Sequence, residues 1–367
     1  MADWGFAPFA VSAYDNSETI RLRKYVTGAH FVLRGAGIET GRTPREVVWE
    51  KGKARLYRYG TEDEKRFAIP VLLVYALILR PYVLDLVPGN SLVEYLVGEG
   101  FDVYLLDWGV PDGEDSDLSF EDYVLDYMPE AVERVLATSG AGGLTLFGYC
   151  QGGTMSVIYA ALSPGAPPTN LVLLATPTDF APDDPGLLGL WTYWSRQGYF
   201  DPDLLIGPSG NVPADEAHRF VEGVAGAPLG GYLGAFANPW GALARGRPTK
   251  SFLAVSKWAD DGVPFPGAAF RQWVRDFYQQ NKLVAGELEL RGYRVNMSEI
   301  KCPVLNIAGS KDYICPESQA RATVDIVGSE DKEFLVLDAG HVGLMCSPVA
   351  KEEFWPQVRD WLEPRSN

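Results

Sequence analysis

The sequence predicts an α/β protein with a mostly parallel central sheet and a large insertion between two of its strands. The first observation is a set of short apolar runs, such as PVLLVYALIL at residues 70–79, typical of parallel strands buried on both faces. The second is that helical segments alternate with these runs, as βαβ units require. The third is that the alternation stops between residues 177 and 300, where Pro, Gly and aromatic residues dominate.

The N-terminal part contains few chemical signals. Residues 1–45 have mixed apolar and basic character, and we expect a helix near residues 17–25. Residues 47–59 (VVWEKGKARLYRY) predict two strands joined at Lys51 and Gly52. Their four basic residues are more typical of a charged, solvated sheet edge than of a phosphate-binding patch.

The first parallel strands follow in order. The run at 70–79 predicts a strand, residues 91–99 predict a helix that ends at Gly100, and residues 101–108 predict the next strand. After an acidic loop, Ser119 with Asp122 resembles a capping box. It opens a helix that we expect to reach Ala137, with a kink at Pro129.

The stretch LTLFGYCQGGTMSVIYA, residues 144–160, predicts a strand, a sharp turn and a helix. It contains the spacing G-x-C-x-G of a nucleophile elbow, with Cys150 at the centre and Gly148 and Gly152 on either side. Such a strained turn needs neighbours almost without side chains. A buried, unreactive cysteine on a Gly-rich loop is the alternative. The strand, turn and helix occur in the required order, so we favour the elbow and an α/β-hydrolase fold with an inserted cap.

The predicted domain organisation follows from these patterns. A strand at 170–175 precedes the insertion, in which Phe270, Trp273, Val274 and Phe277 are spaced as one face of a helix that packs against the main domain. Strands at 303–309 and 333–337 and a helix at 349–362 complete the sheet domain. We expect three parts: an N-terminal segment at 1–45, an α/β-hydrolase core at 46–176 and 301–367, and a cap at 177–300.

Composition excludes several classes of function. The net charge of −16 and a pI near 4.7 argue against binding to nucleic acid or to an anionic membrane surface. The first residues lack the pattern of a secretory signal, so a cytoplasmic location is expected. The longest apolar run is too short to span a bilayer. The cysteines show no metal-ligand spacing, so we expect reduced thiols and no metal or cofactor; they are Cys150, Cys302, Cys315 and Cys346.

A cysteine nucleophile needs a base to remove its proton. Only three histidines are present: His30 precedes the sheet, His218 lies among charged residues of the insertion, and His341 follows the last predicted strand in AGHVG. Position and elimination both favour His341.

The base needs an orienting carboxylate. Asp312 ends the preceding strand and gives the chain order nucleophile, acid, histidine, which favours it over Asp107 and Asp338. We expect the Gln151 backbone N–H to donate to an oxyanion, with a second amide from Leu77 or Ile78.

Seven segments carry a resemblance to a known family: YALILRPYVLDL (75–86), FDVYLLDWGVP (101–111), GYCQGG (148–153), ATPTDF (175–180), PGAAFRQWVRDFYQQNKL (266–283), CPVLNIAGSKDYICP (302–316) and AGHVGL (339–344). Together they resemble the catalytic subunit of the short, two-subunit (class III) type of polyhydroxyalkanoate synthase, over nearly all of residues 45–365.

The resemblance implies a specific chemistry. Cys150 would hold the growing chain as a thioester, His341 would activate the thiol and the 3-hydroxyl of the monomer, and Asp312 would assist it. The implied substrate is (R)-3-hydroxyacyl-CoA, with 3-hydroxybutyryl-CoA favoured, and the products are free CoA and a polyester granule. A second, helical subunit and a homo-oligomer are the implied partners.

The sequence departs from the family at two positions. Tyr313 replaces a histidine that many relatives have after the catalytic Asp, and Leu79 replaces the usual Asn after the early strand. Two other functions stay open at this point: a cysteine-dependent esterase or thioesterase, and a non-catalytic granule-binding paralogue. The intact set of Cys150, Asp312 and His341 argues against the second.

Overall fold

The structure is a computed structural model. It describes residues 38–60, 65–163, 167–180, 192–193, 195–217, 219 and 250–367. The helix expected at 17–25, His30 and His218 therefore lie outside the described residues.

The strands of the described residues are numbered in chain order. They are β1 (Arg45–Lys51), β2 (Ala54–Tyr59), β3 (Val71–Val74), β4 (Val103–Asp107), β5 (Thr145–Tyr149), β6 (Asn170–Leu174), β7 (Asn211–Val212), β8 (Phe265–Pro266), β9 (Glu289–Leu290), β10 (Tyr293–Arg294), β11 (Val304–Gly309) and β12 (Lys332–Leu337).

An eight-stranded sheet forms the centre of the protein, in the order β1-β2-β4-β3-β5-β6-β11-β12. The six strands from β4 to β12 in this order are parallel, and β1 and β2 form an antiparallel hairpin at one edge. The predicted fold class, with its mostly parallel sheet, is confirmed.

Helices and two small ribbons surround the sheet. The ribbons pair β7 with β8, and β9 with β10. In the part of the chain that the structure describes, the α-helical segments with assigned bounds are Leu92–Gly98, Phe120–Asp122, Met128–Ser139, Gln151–Leu162, Lys250–Asp260, Gly267–Gln272, Lys282–Ala285, Glu317–Ile326, Gly343–Cys346 and Trp355–Leu362. Among the described residues, π-helical segments interrupt or extend them at Tyr123–Tyr127, Ser195–Tyr199, Trp273–Gln279 and Ala350–Phe354.

Both faces of the sheet are covered by apolar cores. In β3, Leu72 and Val74 belong to one core cluster, whereas Val71 and Leu73 belong to the other. All four side chains are fully buried. Successive side chains of a strand point to opposite faces, so a strand covered on both sides must be apolar at every position.

Two predicted elements differ in detail from the structure. The strand expected at 70–79 ends at Val74, and the chain then turns into a loop beside Cys150. The helix expected from Ser119 has the predicted capping box, but it passes through a π-helical turn before Met128. Pro129 lies in the first turn of the next α-helix, where its missing N–H is tolerated. The structure thus has a π-helical turn just before Pro129, whereas the kink predicted at Pro129 itself stays a prediction.

The aromatic stripe of the insertion packs onto the main domain, as predicted. The ring of Phe120 lies 5.4 Å from that of Trp273 and 5.2 Å from that of Phe277. The helical segment itself is not one continuous α-helix, because it is π-helical over Trp273–Gln279 and restarts after Asn281, whose φ is 49°. The boundaries of the cap stay a prediction.

Candidate active site

Cys150 lies at the junction between β5 and the helix Gln151–Leu162. Its φ of 57° and ψ of −131° are a strained conformation for a residue with a side chain. The turn is crowded, since a Cβ on Gly148 would overlap the Gly153 backbone and one on Gly152 would overlap the Val74 carbonyl. These contacts give the physical reason for the glycines of the G-x-C-x-G pattern.

His341 and Asp312 come together beside this turn. The Nδ1 atom of His341 lies 2.7 Å from Oδ2 of Asp312, and both residues are only 4% exposed. The other carboxylate oxygen of Asp312 accepts hydrogen bonds from the backbone N–H groups of Ile314 (2.8 Å) and Cys315 (2.9 Å). The carboxylate is thereby held in one orientation, and Nε2 of the imidazole is left to face Cys150.

The electrostatics of this group favour a charged imidazole. Burial by itself lowers the pKa of His341, but the Asp312 carboxylate and then the Cys150 side chain outweigh it and raise the pKa to about 10. The Cys150 side chain acts on the imidazole because the two residues line the same cavity. The arrangement can accept a proton from the thiol and keep it.

Tyr149, immediately before Cys150, contacts the histidine in two ways. Its hydroxyl donates to the main-chain oxygen of His341 at 3.1 Å, and its ring stacks on the imidazole at 5.2 Å between centroids. Sequence reasoning missed this role, because the two residues are 192 positions apart. The signal in the sequence that could have indicated this role is the place of Tyr149, directly before Cys150 in the GYC motif.

The two predicted oxyanion donors have different environments. The Gln151 backbone N–H occupies the first position of its helix, where it has no partner within the helix. The Leu77 N–H, in contrast, donates to Oε1 of the Gln151 side chain at 2.9 Å, so it is not free in this conformation. That the Leu77 N–H donates to an oxyanion stays a prediction.

A cavity opens onto the thiol and the imidazole, and its lining is largely apolar and aromatic. One wall consists of the loop after β3 and the start of the nucleophile helix. The segment between β6 and β11 contributes further lining residues, namely Pro177, Ala217, Trp258, Phe265, Phe270, Trp273 and Tyr278. Acyl chains fit such a lining better than polar substrates do.

The competing acids lie elsewhere. Asp338 is exposed and binds Lys311, and Asp107 accepts a hydrogen bond from the Gly109 N–H in its own loop. All four cysteines are free thiols. In the described part of the chain, no cluster of His, Cys, Asp and Glu could hold a metal ion, and no helix has the length and apolarity to cross a bilayer.

Two family models match the chain. The model of the alpha/beta hydrolase fold matches residues 69–348, and the model of the poly-beta-hydroxybutyrate polymerase (PhaC) N-terminus matches residues 17–96. The two matches overlap in the segment that contains β3 and the loop beside Cys150.

Curated relatives agree with the second model. The PhaC subunit of the poly(3-hydroxyalkanoate) polymerase of Allochromatium vinosum is 34% identical over 94% of this chain and 95% of its own length. The corresponding subunit of Synechocystis is 35% identical, over 89% and 86% of the two chains. The subunit of Haloferax mediterranei is 37% identical over 90% of this chain, but the chain spans only 65% of that relative's length.

Solved structures support the fold alone. A hydrolase from Pseudomonas aeruginosa superposes with a TM-score of 0.51 at 17% identity, over 88% of this chain and 99% of its own. A bacterial membrane phospholipase A gives the same TM-score at 16% identity, over 95% and 92% of the two chains. With the sheet order, the elbow and the relatives combined, the chain belongs to the poly(3-hydroxyalkanoate) polymerase family, a family of acyltransferases on the α/β-hydrolase fold.

Proposed function

We propose that this protein polymerises (R)-3-hydroxyacyl-CoA into polyester with release of CoA, and that Cys150 carries the growing chain as a thioester. (R)-3-hydroxybutyryl-CoA is the substrate we favour. The observation that carries the proposal is that Cys150 and His341 line one largely apolar cavity while His341 Nδ1 is held by the buried Asp312 carboxylate.

The first step is acylation of the thiol. His341 Nε2 takes the proton of the Cys150 thiol, and the thiolate attacks the carbonyl carbon of the acyl-CoA. The carbonyl π electrons move to oxygen and form an oxyanion, which the Gln151 backbone N–H stabilises. When the oxyanion collapses, the bond to the CoA sulfur breaks, and the imidazolium returns its proton to the leaving thiolate. The products are an acyl-thioester and free CoA.

The second step lengthens the chain. The 3-hydroxyl of the next acyl-CoA loses its proton to His341 and attacks the Cys150 thioester carbonyl, which forms an ester bond and releases the thiolate. The same thiolate then attacks the CoA thioester of the lengthened chain, the bond to the CoA sulfur breaks, and the imidazolium passes its proton to the leaving CoA thiolate. A cysteine suits this exchange, because the two thioesters are close in free energy.

Exclusion of water separates a polymerase from a hydrolase with the same catalytic group. The segment between β6 and β11 contributes Trp258, Phe270 and Trp273 to the lining of the cavity, and each of them is buried. We infer that this segment is a cap that keeps water from the thioester. The inference agrees with the predicted cap at 177–300.

Partners and location belong to the same proposal. We propose that the chain works at the surface of the polyester granule, in the cytoplasm, with a second synthase subunit and as a homo-oligomer. The relatives are named as PhaC subunits, which supports a multi-subunit enzyme.

The test is incubation of the purified protein with (R)-3-hydroxybutyryl-CoA, with and without a partner subunit. We expect CoA release accompanied by an insoluble polyester. Free 3-hydroxybutyrate in amounts equal to the CoA would show a thioesterase instead. No CoA release under either condition would refute both enzymatic functions.

A labelling experiment tests the thioester. Radioactive acyl-CoA should label the protein, and Cys150→Ala should abolish the label. Cys346→Ala is the matched control, since this partly buried thiol lies in the short helix that follows His341 and donates to the Val342 carbonyl oxygen. Label that persists in Cys150→Ala would show that another residue carries the acyl group.

A further inference from the structure

The side chain of Gln151 has one partnered and one unpartnered end. Its Oε1 accepts the Leu77 N–H at 2.9 Å, whereas its Nε2 has no hydrogen-bond partner in the described part of the chain. The residue is 2% exposed, so water does not solvate this amide group. Unpaired polar groups in a protein interior are rare and call for an explanation.

The orientation of this carboxamide follows from hydrogen bonding. Leu77 presents an N–H, which is a donor only, so the oxygen of the carboxamide must face it. The two hydrogens of Nε2 must then point away from Leu77. The Leu77 N–H thus determines that Oε1 of Gln151 is hydrogen-bonded and that Nε2 faces away from Leu77.

The residue that carries this amide lines the same cavity as the reacting side chains. Gln151 directly follows the nucleophile and lines the cavity together with Cys150 and His341. The start of its helix is pressed against the end of β3, where a Cβ on Gly152 would overlap the Val74 carbonyl. The side chain therefore bridges the two segments that flank the thiol, beside the amide that we expected to be the second oxyanion donor.

We propose that Nε2 of Gln151 is the second oxyanion donor and takes the place of the Leu77 N–H. One residue then supplies both hydrogen bonds to the oxyanion, from its backbone N–H and from its side chain. The Leu77 N–H fixes the carboxamide by binding Oε1, which makes Leu77 a positioning residue. This inference rests on the proposed acyl transfer at Cys150.

The chemistry explains why the amide hydrogens are unpartnered in the free protein. A donor that is needed only when negative charge develops on the carbonyl oxygen stabilises the transition state most if nothing else occupies it. No proton is transferred, since the group only donates hydrogen bonds.

Gln151→Met tests the proposal, because methionine has a similar length and neither donates nor accepts strongly. Two rates are measured in the full chain with its partner subunit: single-turnover CoA release from (R)-3-hydroxybutyryl-CoA, and alkylation of Cys150 by iodoacetamide. Alkylation forms no oxyanion, so it reports only on the thiol and its base. Gln319→Met is the matched control, since Gln319 is also buried, its Nε2 likewise has no partner among the residues that the structure describes, and it does not line the cavity.

We expect CoA release by Gln151→Met to fall about 100-fold or more, with alkylation changed less than about threefold and Gln319→Met unchanged. Unchanged or faster CoA release would overturn the proposal, because the Leu77 N–H freed by the substitution would then be the donor. An equal fall in both rates, or an equal fall in Gln319→Met, would assign a structural role to the side chain. Absence of CoA release in the unmodified protein would refute the proposed function instead.

Discussion

We expect Asp312→Asn to inactivate the enzyme, because it moves the hydrogen of the neutral His341 imidazole from Nδ1 to Nε2. The oxygen of the introduced carboxamide can keep the hydrogen bonds from the Ile314 and Cys315 N–H groups, so its NH₂ takes the place of the oxygen now 2.7 Å from Nδ1. An NH₂ group donates, which forces Nδ1 to accept and places the imidazole hydrogen on Nε2. His341 then presents a hydrogen to the thiol and cannot remove its proton.

The size of the expected loss of activity follows from the same substitution in a Ser-His-Asp triad. An Asp to Asn change in a Ser-His-Asp triad lowers kcat by about 10⁴ through the same change of tautomer. A cysteine thiol is more acidic than a serine hydroxyl and depends less on its base, so we expect a loss of about 10³-fold. That factor corresponds to about 4 kcal/mol of activation free energy.

The assay is the steady-state rate of CoA release from (R)-3-hydroxybutyryl-CoA. Asp338→Asn is the matched control, because Asp338 is exposed, lies in the same part of the fold and binds only Ser310 and Lys311 among the described residues. We expect less than a twofold change in the control. If Asp312→Asn keeps more than a tenth of the activity, or if Asp338→Asn loses as much, the assignment of the acid is wrong.

The same substitution should change the pH dependence of stability. The folded-state pKa of His341, about 10, lies above its unfolded value near 6.5. The stabilisation that accompanies this raised pKa is therefore fully present below pH 6.5 and is lost as the pH rises through about 10. Urea unfolding between about pH 6 and 10 should show this decline in the unmodified protein and a much weaker one in Asp312→Asn; equal slopes would contradict the ion pair.

Two further substitutions test the framework around the nucleophile. Tyr149→Phe removes the hydroxyl that donates to the His341 main-chain oxygen but keeps the stacked ring, so thermal unfolding should show a loss of about 1 kcal/mol and activity should fall severalfold; unchanged activity would mean that the ring alone orients the imidazole. Gly153→Ala would drive a Cβ into Thr176 and should destabilise the protein by about 1–3 kcal/mol, whereas Gly142→Ala, with open space around it, should be neutral. Equal stability of the two glycine variants would refute the packing argument.

The relation between sequence and structure is clearest at the elbow. The apolar runs around it predicted the strands, since a strand buried on both faces must be apolar throughout. The glycines predicted the turn, because only residues without side chains fit where the helix meets β3. These are local constraints, so a single sequence contains them. The chain order of cysteine, acid and histidine can also be read from the sequence, and it favoured Asp312 over the other candidate acids.

Only the tertiary structure decided how distant segments meet. Whether Asp312 or Asp338 faces His341 depends on how the loops after β11 and β12 are oriented, and the structure brings Asp312 to the imidazole while Asp338 is exposed to solvent. The engagement of the Leu77 N–H by a side chain 74 residues away was likewise invisible in the sequence. A hydrogen bond requires two groups to meet within a few tenths of an ångström, and that placement comes from the packing of the whole sheet rather than from any local pattern.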